Sequence, residues 1–335
     1  MQEHGTFQQV RFVCELVVNV ACSASVSVAN KILFREGMHP VLLLTLHYAG
    51  GYACSSIYKT VRDEEQDGQQ LPRGLLFLVS ATTILNLVTA QWNLKSNSIF
   101  VFQAGRYLAI FLTALGDKIV NSLKVGPQKQ IGLLFILLAV CCIIVPLATL
   151  SCDHHGVHLA ICMFAAVFQA VNGVSTNFVL KHFTISSRSL LNRLSLSISI
   201  SLFGASSFVC FEGNCVVRSL TPMLVPLFVS MGSAIIIQYT SLVLTRGSSA
   251  TFYSSVNVLK AALLSVGGSI ALHENVSKLQ LLAFCLSSLG LLLFSEELLN
   301  NRYKKGAFIS VSIVCLVKTF LELLNFHYKS KVCDG

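Results

Sequence analysis

The chain has 335 residues, 54% of them hydrophobic and 12% charged, with a mean hydropathy of +0.70. Soluble globular domains carry about 25% charged residues, so the charge needed to solvate a surface of this size is missing, and a soluble enzyme is excluded. A nucleic-acid binder is excluded as well, because the formal charge of +9 comes from 24 Lys and Arg scattered between apolar runs, with no basic tail or patch.

Ten runs of mostly apolar residues follow one another, at roughly 10–32, 40–60, 74–94, 97–117, 131–150, 157–180, 190–211, 220–245, 249–272 and 279–297. Each is long enough, at 1.5 Å per residue, to cross a hydrocarbon core of about 30 Å. The reading is an all-α membrane protein with ten transmembrane helices, embedded in a lipid bilayer. The first run lacks a basic leader and contains Asn30-Lys31, so it is expected to be a retained span rather than a cleaved signal peptide. Short connections make consecutive helices antiparallel neighbours, and the longest polar stretch, Val61 to Arg73, is expected to be a solvated loop. Beyond residue 298, Ala307 to Phe326 is again apolar but carries Lys318 and Glu322 four apart. A helix lying on the membrane surface is favoured there over an eleventh span.

With the amino terminus in the cytosol, thirteen basic residues of loops and helix ends fall on the cytosolic side and five on the other, which satisfies the positive-inside rule. Most of the twelve cysteines fall inside spans, where a thiol acts as a small hydrophobe. Cys152 and Cys215 share the non-cytosolic side, but spacing alone does not pair them. Asn275-Val-Ser277 fits a glycosylation acceptor on a loop that hugs the membrane. His154-His155 beside Asp153 lacks a further ligand set at metal spacing, and no metal, cofactor or enzymatic role is expected.

Charges inside the spans carry more information. An ionised side chain at a helix centre costs roughly 2.5–3.5 kcal/mol on insertion scales, so each one is a functional hypothesis. Arg106 lies midway along the fourth run, Lys260 midway along the ninth and Arg193 near the start of the seventh. Arg106 and Lys260 have no acid at matching depth in their own helices, which favours an anionic ligand. Their spans also resemble each other: at an offset of 151, Phe102 falls on Tyr253, Leu108 on Leu259, Leu112 on Leu263 and Gly116 on Gly267. That offset suits two inverted five-helix repeats, at 1–150 and 151–305, with 306–335 as a carboxyl-terminal segment. Inverted repeats put their substrate site at the midplane, so the expectation is an alternating-access carrier for an anion, lined by Arg106 and Lys260. Polar residues in the spans, including Asn30, His47, Gln91, Gln103, Gln169, Asn172, Asn192, Gln238, Tyr253, Ser254 and Asn257, exceed what a chloride or phosphate site needs. Many serve as interhelical glue, but as a set they suit a ligand with both apolar and hydrogen-bonding parts, such as a nucleotide conjugate.

The order of these features resembles the nucleotide-sugar transporter family of the drug/metabolite transporter superfamily, over about residues 10–297. Asn30-Lys31 followed by Pro40 is similar to the family's Asn-Lys ending of the first helix and the proline that opens the second. Arg106 through Gly116-Asp117 has the spacing of its fourth-helix basic residue and Gly-acid pair. Ser249 to Lys260 resembles the hydroxyl-rich run that ends in the family's lysine, closer to the UDP-sugar version than to the GDP-mannose one. Asn257 and Val258 stand where the family has Gly and Ala. In Leu190-Leu191-Asn192-Arg193, Asn192 matches the first asparagine of an aromatic-Tyr-Asn-Asn motif; the aromatics are absent and Arg193 replaces the second asparagine.

The resemblance implies a nucleotide-sugar antiporter of the Golgi or endoplasmic reticulum membrane. It would exchange a cytosolic nucleotide sugar, UDP-sugar favoured over GDP-sugar, for a lumenal nucleoside monophosphate. It implies that Lys260 and Arg106 hold the phosphates and that Asn192, Tyr253, Ser254 and Asn257 face base or sugar, with Arg193, Asn30, Lys31 and Gln103 as lesser candidates. The alternatives are a sugar-phosphate or other organophosphate translocator and a non-transporting membrane scaffold. A homodimer is left open.

Overall fold

A computed structural model describes residues 2–62, 71–120, 126–149, 155–183, 185–211, 221–246, 257, 260, 261, 264 and 277–295. Among the described residues the chain is all helical, with no strand. In chain order the helices are α1 (Gln2–Arg35), α2 (Pro40–Arg62), α3 (Arg73–Ser96), α4 (Ile99–Val120), α5 (Pro127–Thr149), α6 (His155–His182), α7 (Ser187–Phe211), α8 (Leu224–Arg246) and α9 (Lys278–Ser295). Asn257, Lys260, Ala261 and Leu264 are helical too and lie within the ninth predicted run. The rest of that run, the Cys152 and Cys215 positions, Asn275 and the segment from 296 onward lie outside the described residues.

Local chemistry sets the helix ends. Pro40 and Pro127 open α2 and α5, where a missing N–H costs nothing because the first N–H groups have no intrahelical partner. The eighth run expected from 220 begins instead as a 3-10 turn, Thr221–Met223, and the α-helix starts at Leu224, which keeps Pro226 within its first turn. α1 ends on Gly37, whose φ of 96° is open to glycine. There the Gly37 N–H donates to Phe34 O and the Met38 N–H to Leu33 O, the paired bonds that close a helix on a left-handed residue. Leu33 and Met38 are both buried in the same apolar cluster.

Among the described residues six helices are long and apolar enough to cross a membrane: Cys14–Arg35, Arg73–Ser96, Ile99–Val120, Pro127–Val145, Gly156–His182 and Leu224–Arg246. α2 and α7 are of similar length but more polar, α7 carrying eight serines, and they pack against each other. Phe77, Ile119, Val225 and Phe228 are 72–74% exposed, bare apolar surface that suits lipid rather than water. The most extensive contacts join α5 to α9, α1 to α8, α2 to α7, α4 to α6 and α3 to α6.

Candidate functional site

A cavity of about 290 Å3 lies among α1, α2, α3, α4, α6, α7, α8, Asn257 and Lys260. It is at the lower edge of the roughly 300–1,000 Å3 of small-molecule sites. Each helix contributes through residues that turn inward from an otherwise apolar surface: Ser23, Ser27 and Asn30 from α1, His47 from α2, Thr83, Asn86 and Gln91 from α3, Gln169, Asn172 and Thr176 from α6, Gln238, Ser241 and Thr245 from α8. Leu44, Leu87, Leu191, Leu194 and Ile198 supply apolar wall between them.

Arg106 and Lys260 both line this cavity, together with Asn257. Lys260 is 3% exposed, and its Nζ donates to Asn257 Oδ1 at 3.2 Å across one helical turn. The Arg106 guanidinium lies over the Phe102 ring, 4.8 Å from its centroid, a contact that helps to fix its direction. The two cations thus open on one cavity. No Asp or Glu is among the described residues that line the cavity. Two cations opening on one cavity whose described lining holds no carboxylate favour an anion there.

The other polar side chains form short networks between helices. Thr83 Oγ1 donates to Asn172 Oδ1 at 2.8 Å, joining α3 to α6. Asn30 joins three helices: its Nδ2 donates to Gln91 Oε1 at 3.1 Å, and its Oδ1 accepts from Ser230 Oγ. His47 Nε2 lies 2.7 Å from Ser230 Oγ. Gln238, which also lines the cavity, has its Oε1 buried without a hydrogen-bond partner among the described residues.

Of the residues singled out from the sequence, Arg106, Lys260, Asn257 and Asn30 come together at this cavity. Asn192, Arg193, Lys31 and Gln103 are not among its lining residues. Asn192 Oδ1 accepts from Ser56 Oγ at 3.5 Å, on the contact between α2 and α7. Gln103 is fully buried, and neither amide atom has a partner among the described residues. Lys31 donates to the carbonyls of Leu94 and Asn97 at 2.7 and 2.6 Å, so it binds the carboxyl-terminal end of α3, where unpaired carbonyls and the helix dipole favour a cation. Tyr253 and Ser254 lie outside the described residues. The sequence reading passed over Arg188, whose guanidinium sits 4.6 Å from the Tyr58 ring centroid and 5.9 Å from that of Tyr239. A cation two residues before the apolar run carried no signal at the level of spans, because only the folded α2, α7 and α8 bring the two tyrosines to it.

No family model matches this chain, and no curated protein matches it. Among solved structures 28 chains match. One, titled "Crystal structure of protein", is 15% identical and superposes with a TM-score of 0.63 over 88% of this chain and 99% of that one, a likeness of fold.

Proposed function

We propose that the protein is a membrane antiporter that exchanges a nucleotide sugar for a nucleoside monophosphate through the cavity of Arg106 and Lys260. The observation that carries this reading is the cavity itself: a buried Lys260, a half-buried Arg106 and a wall of amides and hydroxyls, with no carboxylate among the described lining residues. The cations supply the phosphate end, and the amides supply directional contacts for base and sugar. Binding and release do the work, with no bond broken. The Golgi or endoplasmic reticulum membrane and a cytosolic amino terminus belong to the same proposal, on the positive-inside count.

Ten spans in two inverted repeats are part of this reading, and the helix contacts support it. With α9 taken as the tenth span, exchanging each span with the one five places along converts the α1–α8 contact into α6–α3, α2–α8 into α7–α3, α2–α3 into α7–α8 and α1–α3 into α6–α8; all of these pairs touch. The α2–α7 pair and the α5–α9 pair map onto themselves. Hydrogen bonds Asn19–Thr240 and Ser230–Asn30 run α1 antiparallel to α8, and Asn97–His158 and Thr83–Asn172 run α3 antiparallel to α6, as the exchange requires. Two such units of five spans each meet at a midplane site that can open to either side.

The modest cavity volume favours a smaller organophosphate, a sugar phosphate, as the second reading. Proteoliposomes loaded with UMP, GMP or inorganic phosphate distinguish the two. Uptake of a labelled UDP- or GDP-sugar stimulated by the matching internal monophosphate supports the antiporter. Stimulation by internal phosphate with a sugar phosphate outside favours the translocator, and no stimulated uptake by any pair removes transport of this class.

A further inference from the structure

Four side chains from four helices make one hydrogen-bonded chain at the cavity. His47 of α2 meets Ser230 of α8 through Nε2, Ser230 donates to Asn30 Oδ1 of α1, and Asn30 Nδ2 donates to Gln91 Oε1 of α3. His47, Asn30 and Gln91 line the cavity, and Ser230 is fully buried.

The donor directions along this chain follow from proton counting. A serine hydroxyl has one hydrogen. Ser230 gives it to Asn30, so its oxygen meets His47 as an acceptor, and His47 Nε2 carries a hydrogen. The Asn30 oxygen is then occupied by Ser230 and its amide nitrogen serves Gln91, whose oxygen is occupied in turn. What Gln91 keeps for the cavity is an amide nitrogen with two hydrogens. The His47 tautomer and the Gln91 donor are thus tied together, three residues apart along the chain of bonds.

We infer that Gln91 is a specificity-determining donor for a carbonyl oxygen of the ligand's base, and that His47, Ser230 and Asn30 are positioning residues that hold it in that polarity. This rests on the cavity being the nucleotide site. The phosphates are served by Arg106 and Lys260. Sugar hydroxyls both donate and accept, so a fixed donor gains nothing against them. A base carbonyl accepts only, and an exocyclic amino group at the same place faces a donor with a donor. The site therefore selects bases with a keto oxygen at the contacted position, C4 of uridine or C6 of guanosine, over their amino counterparts, cytidine and adenosine, and a group of the wrong polarity leaves the amide donor unpaired.

The test uses the purified full chain in detergent and the affinities of UMP, CMP, GMP and AMP. The wild type is expected to hold the keto member of at least one pair about tenfold more tightly than its amino partner, the size of one well-placed hydrogen bond with its unpaired penalty. In Gln91→Met that preference falls to within about twofold, Ser230→Ala falls likewise, and the double variant falls no further, because Ser230 acts through Gln91. His47→Gln keeps an Nε2 donor and retains the preference, whereas His47→Met loses it. A second measurement does not need the ligand: nitrogen-15 shifts of labelled histidines, with His47 assigned by its loss in His47→Gln, report a protonated Nε2. A bare Nε2, or a base preference unmoved in Gln91→Met while Lys260→Ala abolishes binding of all four, overturns the inference and leaves the transport proposal in place. Binding of all four without preference overturns it as well. A wild type that binds none of them, while still binding no sugar phosphate, removes both.

Discussion

Two lysines in this chain sit in apolar helices and are almost wholly buried, Lys31 at 8% and Lys260 at 3% exposure, yet their surroundings differ in kind. Lys31 Nζ is held by two backbone carbonyls at the end of α3, positions that any helix leaves without an intrahelical partner. Lys260 reaches a side-chain amide one turn away and opens, with Arg106, on a cavity. A buried cation fastened to carbonyls is part of the frame. A buried cation that shares a cavity with another cation raises the energy of the empty site and lowers it again when an anion arrives. Burial alone does not separate these roles; the partner does.

The widest test of this contrast exchanges the two outcomes. Lys260→Ala is expected to lower exchange at least about 100-fold, the loss of roughly 3 kcal/mol of charge-assisted contact to a phosphate, with little change in the thermal midpoint of the protein in detergent. Lys31→Met is expected to do the reverse: it removes two charge-assisted bonds, destabilises by about 3 kcal/mol, and leaves exchange per folded molecule within about twofold of wild type. Abolished exchange in a fully stable Lys31→Met protein would place Lys31 with the cavity cations after all.

A second test sharpens the same separation with uncharged residues. A Cβ on Gly290 of α9 would lie 2.6 Å from the Gly132 carbonyl oxygen and 3.0 Å from the Ile136 nitrogen of α5, both backbone atoms that cannot swing aside. Gly290→Ala should part the α5–α9 seam and cost about 1–3 kcal/mol. Neither helix contributes a residue to the cavity, so monophosphate affinity should not change. A large loss of affinity without a loss of stability would mean that the seam and the cavity are coupled. Gly37→Ala acts on the Lys31 end of the bundle, where φ of 96° puts an L side chain under strain of about 1–2 kcal/mol. It should lower the thermal midpoint by less than Lys31→Met does, and an unchanged midpoint would show that the turn relaxes at no cost.

The helices were legible because their signal is redundant: about twenty apolar residues in a row speak for a span whatever the neighbours are. Pro40 even marked the start of α2. Arg106 and Lys260 were legible for the opposite reason, since a lone charge in an apolar run has few explanations. Lys31 was not separable from them, because its partners, the carbonyls of Leu94 and Asn97, are present in every helix and leave no trace in side-chain identity. Nor was the division of the polar residues between cavity and glue. Asn192 and Asn30 look alike in sequence, and only the packing of α2 on α7 gives the first to Ser56 while the second faces the cavity. The His47–Ser230–Asn30–Gln91 chain crosses four helices, so no spacing along the chain encodes it.

The smallest expected effect lies at the Lys31 end, in the turn between α1 and α2. His39 Nδ1 accepts the Val41 N–H at 3.3 Å, at the start of α2, and the ring meets Trp92 edge to face at 5.7 Å. Burial first, and the positive charge of Lys95 second, hold its pKa below the ordinary 6.5. The sign follows: the unfolded chain takes up the proton before the folded one, so the contribution of His39 is fully present above pH 6.5 and is lost as the pH falls from there toward the lower folded value. Protonation would also fill the lone pair that receives Val41. The thermal midpoint of the wild type should therefore decline below about pH 6.5 more steeply than that of His39→Gln, which cannot titrate. The ring is partly exposed, and solvent screens Lys95, so the difference should be smaller than the effect of Gly37→Ala. Parallel declines in the two proteins would show that the acid sensitivity of this end comes from other groups, and that the fastening at Lys31 does not depend on the charge state of its neighbour.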